Sequence, residues 1–197
     1  MSKRIWEQFF QKRGRFYLLP HSSFHKIISK FKTYRISKVI DIGCGSGRHS
    51  IGLAKEGFTV NSIDFSKEAL NLAKKWAKSE SLDIKFKEGN IHKKLPYRSN
   101  SFDAAIAIDS IYYENSEAVN FTLDEIKRIL KPEGLLFITL PTQVGNPLIT
   151  HLIFSEKEII EIISSRFTII DKFMDKRKYS CLFALNQIKD KVVNLKF

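Results

Sequence analysis

Val39-Ile40-Asp41-Ile42-Gly43-Cys44-Gly45-Ser46-Gly47 reads as a buried strand that runs into a glycine-rich turn, with one carboxylate set just inside the turn. Glycines at 43, 45 and 47 supply backbone that adopts positive φ and lets a ligand approach the main chain with no Cβ in the way. Arg48-His49-Ser50-Ile51-Gly52-Leu53-Ala54 then opens a helix, and Phe58 to Ile63 reads as the next strand. Strand, turn, helix, strand is a βαβ unit, which places a ligand at the carboxyl edge of a parallel sheet. The turn differs from two look-alikes. The dinucleotide fingerprint requires glycine at position 48, where this chain has Arg48, and the P-loop requires four residues between its glycines followed by Lys-Ser/Thr, which is absent. Asp41 separates them further, because a carboxylate beside the turn repels a pyrophosphate and attracts a sulfonium or an ammonium. Asp64 ends the second strand, where its side chain can accept hydrogen bonds from both ribose hydroxyls. It also suits a helix cap, a role for which Ser66 competes. Cys44 suits a small packing residue better than a nucleophile.

The later segments follow a fixed order. Glu88-Gly89-Asn90-Ile91 comes after the next strand, then Leu95-Pro96-Tyr97 through Ser101-Phe102-Asp103, then Ala104-Ala105-Ile106-Ala107-Ile108-Asp109-Ser110, then Leu130-Lys131-Pro132-Glu133-Gly134-Leu135-Leu136-Phe137-Ile138. Together with the glycine turn, these resemble the ordered motifs of class I S-adenosyl-L-methionine-dependent methyltransferases over roughly residues 36 to 141. The resemblance implies an α/β fold, a Rossmann-like seven-stranded sheet of order 3-2-1-4-5-7-6 with helices on both faces. It implies S-adenosyl-L-methionine as cofactor and no metal. It assigns the cofactor to Asp41, Gly43, Cys44, Gly45, Gly47 and Arg48 of the turn, to Asp64 and Phe65 at the ribose, to Asn90 and Ile91 at the adenine, and to Asp109 at the methionine end. In this family the adenine-side position is commonly Asp. Asn90 removes that charge, and its amide carbonyl is expected to pair with the exocyclic amine.

The remainder of the chain is organised around that unit. We expect a helical cap over 1–35, a methyltransferase domain over 36–187 and a tail over 188–197. Ile5, Trp6, Phe9 and Phe10 share one helical face, and Phe24, Ile27, Ile28 and Phe31 follow a helical repeat that Ser22 or Ser23 can cap. Between these helices, Arg15 or Tyr17 is placed to meet the methionine carboxylate if the segment folds over the cofactor, as it often does in the family. Helices are expected at about 47–56, 66–80 and 116–130, and strands at 58–63, 83–88, 102–108 and 134–140, with Lys131-Pro132-Glu133-Gly134 stopping the third helix. Ser155 and Glu158 form a capping box, and strands at 167–173 and 179–185 close the sheet.

Composition bounds the rest. The 197 residues suit a single domain. With no run of about 18 apolar residues and no signal-peptide pattern, a cytoplasmic, membrane-free protein is expected, monomer or homodimer. Cys44 and Cys181 offer neither a disulfide framework nor zinc spacing. The net charge is +12, and its distribution is uneven. Residues 1–38 hold ten bases and one acid, Glu7, for +9, leaving 23 bases and 20 acids, +3, in the other 159 residues.

Methyl transfer from a sulfonium needs alignment and desolvation more than acid catalysis. In the family, residues after the fourth strand face the methyl group, which makes Asp109, Ser110, Tyr112 and Tyr113 the candidates. Asp109 is taken to hold the substrate or the methionine ammonium and Tyr113 to orient the acceptor or act as a weak base, with Tyr112 beside them; aromatic packing is the competing role of both tyrosines. His49, His92 and His151 are outlying candidates. The stretch Asp109-Ser110-Ile111-Tyr112 lacks the Pro-Pro-Tyr of adenine or glutamine amino methylation, and no Pro-Cys nucleophile follows it. A small-molecule acceptor methylated at oxygen or nitrogen is therefore expected. Methylation of RNA or protein through the basic extension, and a non-catalytic cofactor-binding subunit, are the alternatives, with nucleic acid not favoured.

Overall fold

The computed structural model describes residues 3–15, 18–142 and 152–186. The chain runs α1 (Lys3–Arg13), α2 (Phe24–Thr33), β1 (Lys38–Ile42), α3 (Arg48–Lys55), β2 (Thr59–Asp64), α4 (Lys67–Ser79), β3 (Ile84–Glu88), β4 (Phe102–Ala107), α5 (Ser116–Ile129), β5 (Leu130–Pro141), α6 (Glu156–Ser164), β6 (Thr168–Met174) and β7 (Tyr179–Leu185). The seven strands form one sheet of order β3-β2-β1-β4-β5-β7-β6, as the motif order implies. Pairing is parallel from β3 to β5 and antiparallel at β5–β7 and β6–β7. Near-continuous apolar runs in the central strands reflect a sheet covered on both faces. Side-chain alternation divides them. Ile40, Ile42, Ala105, Ala107, Leu136 and Ile138 pack with α5 and α6, while Val39, Ala104, Ile106, Leu135 and Phe137 pack with α2 and α3.

Helix starts follow local chemistry. Ser66 accepts the Ala69 N–H at the start of α4, Asn115 accepts the Ala118 N–H at the start of α5, and Ser155 with Glu158 completes the expected capping box of α6. The start of α2 differs from expectation. Ser23 holds the cap position without a side-chain bond, and its backbone N–H donates to Nδ1 of His21. The segment 131–134 also departs from the sequence reading. It does not separate helix from strand, because β5 begins at Leu130 and carries the irregularity within itself. Leu130 pairs with Phe102 and Leu135 with Ala104, and Glu133 takes φ +61 in the intervening bulge. The expected tail at 188–197 lies outside the described residues.

Candidate cofactor and acceptor site

The carboxyl ends of β1, β2 and β4 meet at the glycine turn. Gly43 and Cys44 donate their N–H groups to the Ile63 carbonyl at 2.8 and 3.1 Å, which folds the turn back onto β2. Gly43 has φ +72, and a Cβ there would stand 2.5 Å from Cβ of Ser110. Gly47 caps α3 with φ +91, and its Cβ would meet that of Ala73 at 2.9 Å. Glycine is required at both positions by backbone sign and by packing. Gly45 faces the ring of Phe10, so α1 lies over the turn.

Three carboxylates surround this turn. Asp64 accepts the N–H of Gly45 on one oxygen at 2.8 Å and of Ser66 on the other at 2.9 Å. Burial raises its pKa despite those donors. With Phe65 a further backbone donor, the side chain joins the turn to α4 and keeps acceptor capacity for a ligand hydroxyl. Asp41 is 1% exposed and accepts the Ser50 hydroxyl at 2.6 Å, which in turn accepts from Ser62 at 2.9 Å. Burial pushes Asp41 up to about 7, with the charge of Asp64 adding to the effect and the Ser50 hydroxyl opposing it. Asp109, with φ +55, is gripped by Arg48 at 2.8 Å and by both terminal nitrogens of Arg177 at 3.0 and 3.1 Å. Burial raises the Asp109 pKa, but the bonds and charge of Arg177 and the charge of Arg48 outweigh it, leaving the pKa below the ordinary value.

A cleft opens in front of these groups. It is lined by Gly43, Asp64, Phe65, Asn90 and Ile91 and by Asp109, Ser110, Tyr113 and Glu114, with Trp6 and His92 completing it. The site thus gathers Gly43, Asp64, Phe65, Asn90, Ile91, Asp109 and Tyr113 of the sequence candidates. Asp41, Cys44, Gly45, Gly47 and Arg48 stand behind that lining, where they support the turn. Cys44 is 5% exposed and burial raises its thiol pKa, in keeping with packing. Tyr112 corrects an expectation. It is 1% exposed, its ring lies 4.7 Å from that of Tyr113 and 5.9 Å from that of Tyr179, and it belongs to the core rather than the cavity wall. Arg15 also departs from the methionine-carboxylate role, its guanidinium lying 4.8 Å from the Trp76 ring on α4. His49 is buried and accepts the backbone N–H of His21. Tyr17, His151 and most of the 142–152 loop lie outside the described residues.

Sequence reasoning missed three groups. Trp6 was read only as part of a packing face, yet its ring meets Tyr113 edge-on at 5.2 Å. Glu114 follows Tyr113 without any motif to mark it. Arg177 sits 68 residues from Asp109 on the β6–β7 turn, so only the antiparallel hairpin brings the two together. The hairpin is itself anchored. Asp175 accepts from Arg177 Nε at 3.0 Å and from His21 Nε2 at 3.0 Å. Because His21 Nδ1 accepts the Ser23 N–H, Nε2 carries the proton. His21 and Asp175 are therefore hydrogen-bonded to each other, with Cys181 nearby and its thiol directed to the Tyr179 carbonyl, and no histidine lone pair is left for a metal.

The site fits a nucleoside ligand. Its acidic lining is Asp64, Asp109 and Glu114, of which Asp109 is already paired with Arg48 and Arg177. The hydroxyl of Ser110 is buried without a hydrogen-bond partner, which calls for a polar ligand group at the Gly43 face.

Comparison with known proteins agrees. A methyltransferase-domain family matches residues 35–192. The chain is 34% identical over 130 residues to a demethylmenaquinone methyltransferase of Lactobacillus johnsonii, covering 63% of this chain and 52% of that protein. It is 30% identical over 106 residues to a ubiquinone biosynthesis O-methyltransferase of Actinobacillus pleuropneumoniae, covering 52% and 44%. The chain thus spans about half the length of the curated relatives it matches. In fold it resembles the magnesium protoporphyrin IX methyltransferase of Synechocystis, solved with bound S-adenosylhomocysteine, at a TM-score of 0.76 and 17% identity over 94% of this chain and 99% of that one. The glycine turn, the acidic lining and these matches agree that the chain belongs to the class I S-adenosyl-L-methionine-dependent methyltransferases.

Proposed function

We propose that the protein methylates an oxygen or nitrogen atom of a small-molecule acceptor. The observation that carries this reading is the cover over the cavity, where α1 lies across the glycine turn and Trp6 meets Tyr113 edge-on. Such an opening suits a small, partly aromatic molecule. When bound, the cofactor supplies a sulfonium methyl that an acceptor lone pair takes by in-line displacement, leaving a neutral thioether. Asp64 holds the ribose, Asn90 and Ile91 flank the adenine, and Gly43 with Ser110 takes the methionine end. Asp109, kept ionised by Arg48 and Arg177, is a fixed negative charge and a poor base, so it orients rather than deprotonates. The acceptor's proton passes to solvent. Two relatives that carry quinone-biosynthesis names support a ring acceptor.

The basic N-terminal segment supports this reading over an RNA substrate, because part of its charge is spent within the molecule. Lys3 pairs with Glu88 at 2.7 Å, Lys30 with Asp171 at 3.3 Å and Lys32 with Glu56 at 2.8 Å. The test is transfer of tritiated methyl from the cofactor into a cell extract fractionated by size. Label is expected in low-mass metabolites; label confined to RNA or protein, or no label in repeated extracts, contradicts the proposal.

A further inference from the structure

The adenine side of the cavity contains a substitution and a compensation. Asn90 replaces the carboxylate common in the family, and its Oδ1 already accepts the His92 backbone N–H at 2.8 Å in a tight local turn, which commits one of its two lone pairs and its orientation to that turn. That turn delivers His92 to the cavity wall. The His92 ring is oriented by α5. Nδ1 lies 3.3 Å from the Ala118 carbonyl and 2.8 Å from the Thr122 hydroxyl. A carbonyl only accepts, so Nδ1 carries the hydrogen. The Thr122 hydroxyl spends its own hydrogen on the Ala118 or Ile91 carbonyl, at 2.7 and 3.1 Å. Nε2 is then a bare lone pair on the opposite edge of the ring, with no hydrogen bond among the described residues. Burial keeps the imidazole neutral by lowering its pKa, although the Ala118 carbonyl and the charge of Glu114 pull the other way.

We propose that Nε2 of His92, rather than the Asn90 amide, accepts the hydrogen bond from the exocyclic amine of the cofactor's adenine. Two neighbouring groups have exchanged roles. Asn90 has become the brace that shapes the turn, and His92 the acceptor that reads the base. The inference rests on the adenosylmethionine reading of the cavity.

The experiment compares, by calorimetry, binding of S-adenosylhomocysteine and of its analogue lacking the 6-amino group. Wild-type protein, His92→Phe and His92→Gln are measured in parallel. The wild type is expected to prefer the amino form by roughly fivefold to tenfold, the size of one neutral hydrogen bond. His92→Phe should bind both compounds alike, and His92→Gln, whose amide oxygen can accept, should recover part of the preference. Equal preference in wild type and His92→Phe overturns the proposal, as does a wild type that ignores the amine. Should His92→Phe fail to fold, His92→Ala takes its place, and a preference retained there overturns the proposal and returns the role to Asn90. No binding of either compound by the wild type overturns the cofactor reading itself.

Discussion

At the residue scale the two aspartates of the glycine turn differ in what they do. Asp64 reaches the cavity while anchored by two backbone donors. Asp41 acts from beneath. Its carboxyl titrates near 3.8 when exposed in the unfolded chain and near 7 in the fold, so between those values the folded protein holds the extra proton. Ionising Asp41 therefore costs folding free energy that grows as pH rises from about 4 to about 7 and is constant above. Asp41→Asn is expected to gain stability relative to wild type on moving from pH 5 to pH 8 in thermal unfolding; an unchanged difference contradicts this assignment. At the cavity wall, Ser110→Ala should weaken cofactor binding by about 1 kcal/mol, one hydrogen bond to a ligand group. Gly43→Ala should weaken it more, because its Cβ would be driven into Ser110. The glycines and Asp64 were legible in the sequence because local backbone demands fix them. The burial of Asp41 and Tyr112 was not, since exposure depends on what packs above.

At the element scale, α1 lies over the glycine turn and brings Trp6 to the cavity wall. Glu7 is its anchor. Its carboxylate accepts the N–H groups of Lys67 and Glu68 at 2.8 and 3.0 Å and the Ser66 hydroxyl at 3.0 Å, capping α4 from a distant helix. Burial works against the charge, but these donors and the charge of Lys3 hold the Glu7 pKa below the ordinary carboxylate value. The stabilisation is present above that ordinary value and lost as pH falls through the folded one. Glu7→Ala is expected to cost about 1 kcal/mol, the worth of a helix cap, and to weaken cofactor binding as Trp6 and Phe10 lose their seat; unaltered affinity would show that α1 does not cover the site. The sequence revealed α1 as an amphipathic helix, yet periodicity carries no address, so the Glu7 contact could not be read from it. The same holds for the β6–β7 hairpin. Its strands were visible as apolar runs, but the reach of Arg177 to Asp109 follows from a register that only the folded sheet sets.

For the whole molecule, the sheet order was legible through the resemblance, because the motifs succeed one another as they do in the methyltransferase family. The charge pattern was legible as a count, while the pairing of part of it within the fold was not. Half of an ion pair seen in sequence looks like a free base, while the folded chain sets Lys30 against Asp171 and Lys32 against Glu56. Among the described residues no helix is long and apolar enough to cross a membrane. The central claim is that the cavity before the glycine turn is the cofactor cradle, held at the ribose by Asp64. Titration calorimetry of S-adenosyl-L-homocysteine into wild type and Asp64→Ala tests it most directly. One site per chain is expected, weakened in the variant by roughly 1 to 3 kcal/mol through lost charge-assisted bonds; absence of binding by the wild type, or equal affinities in the two proteins, would contradict it.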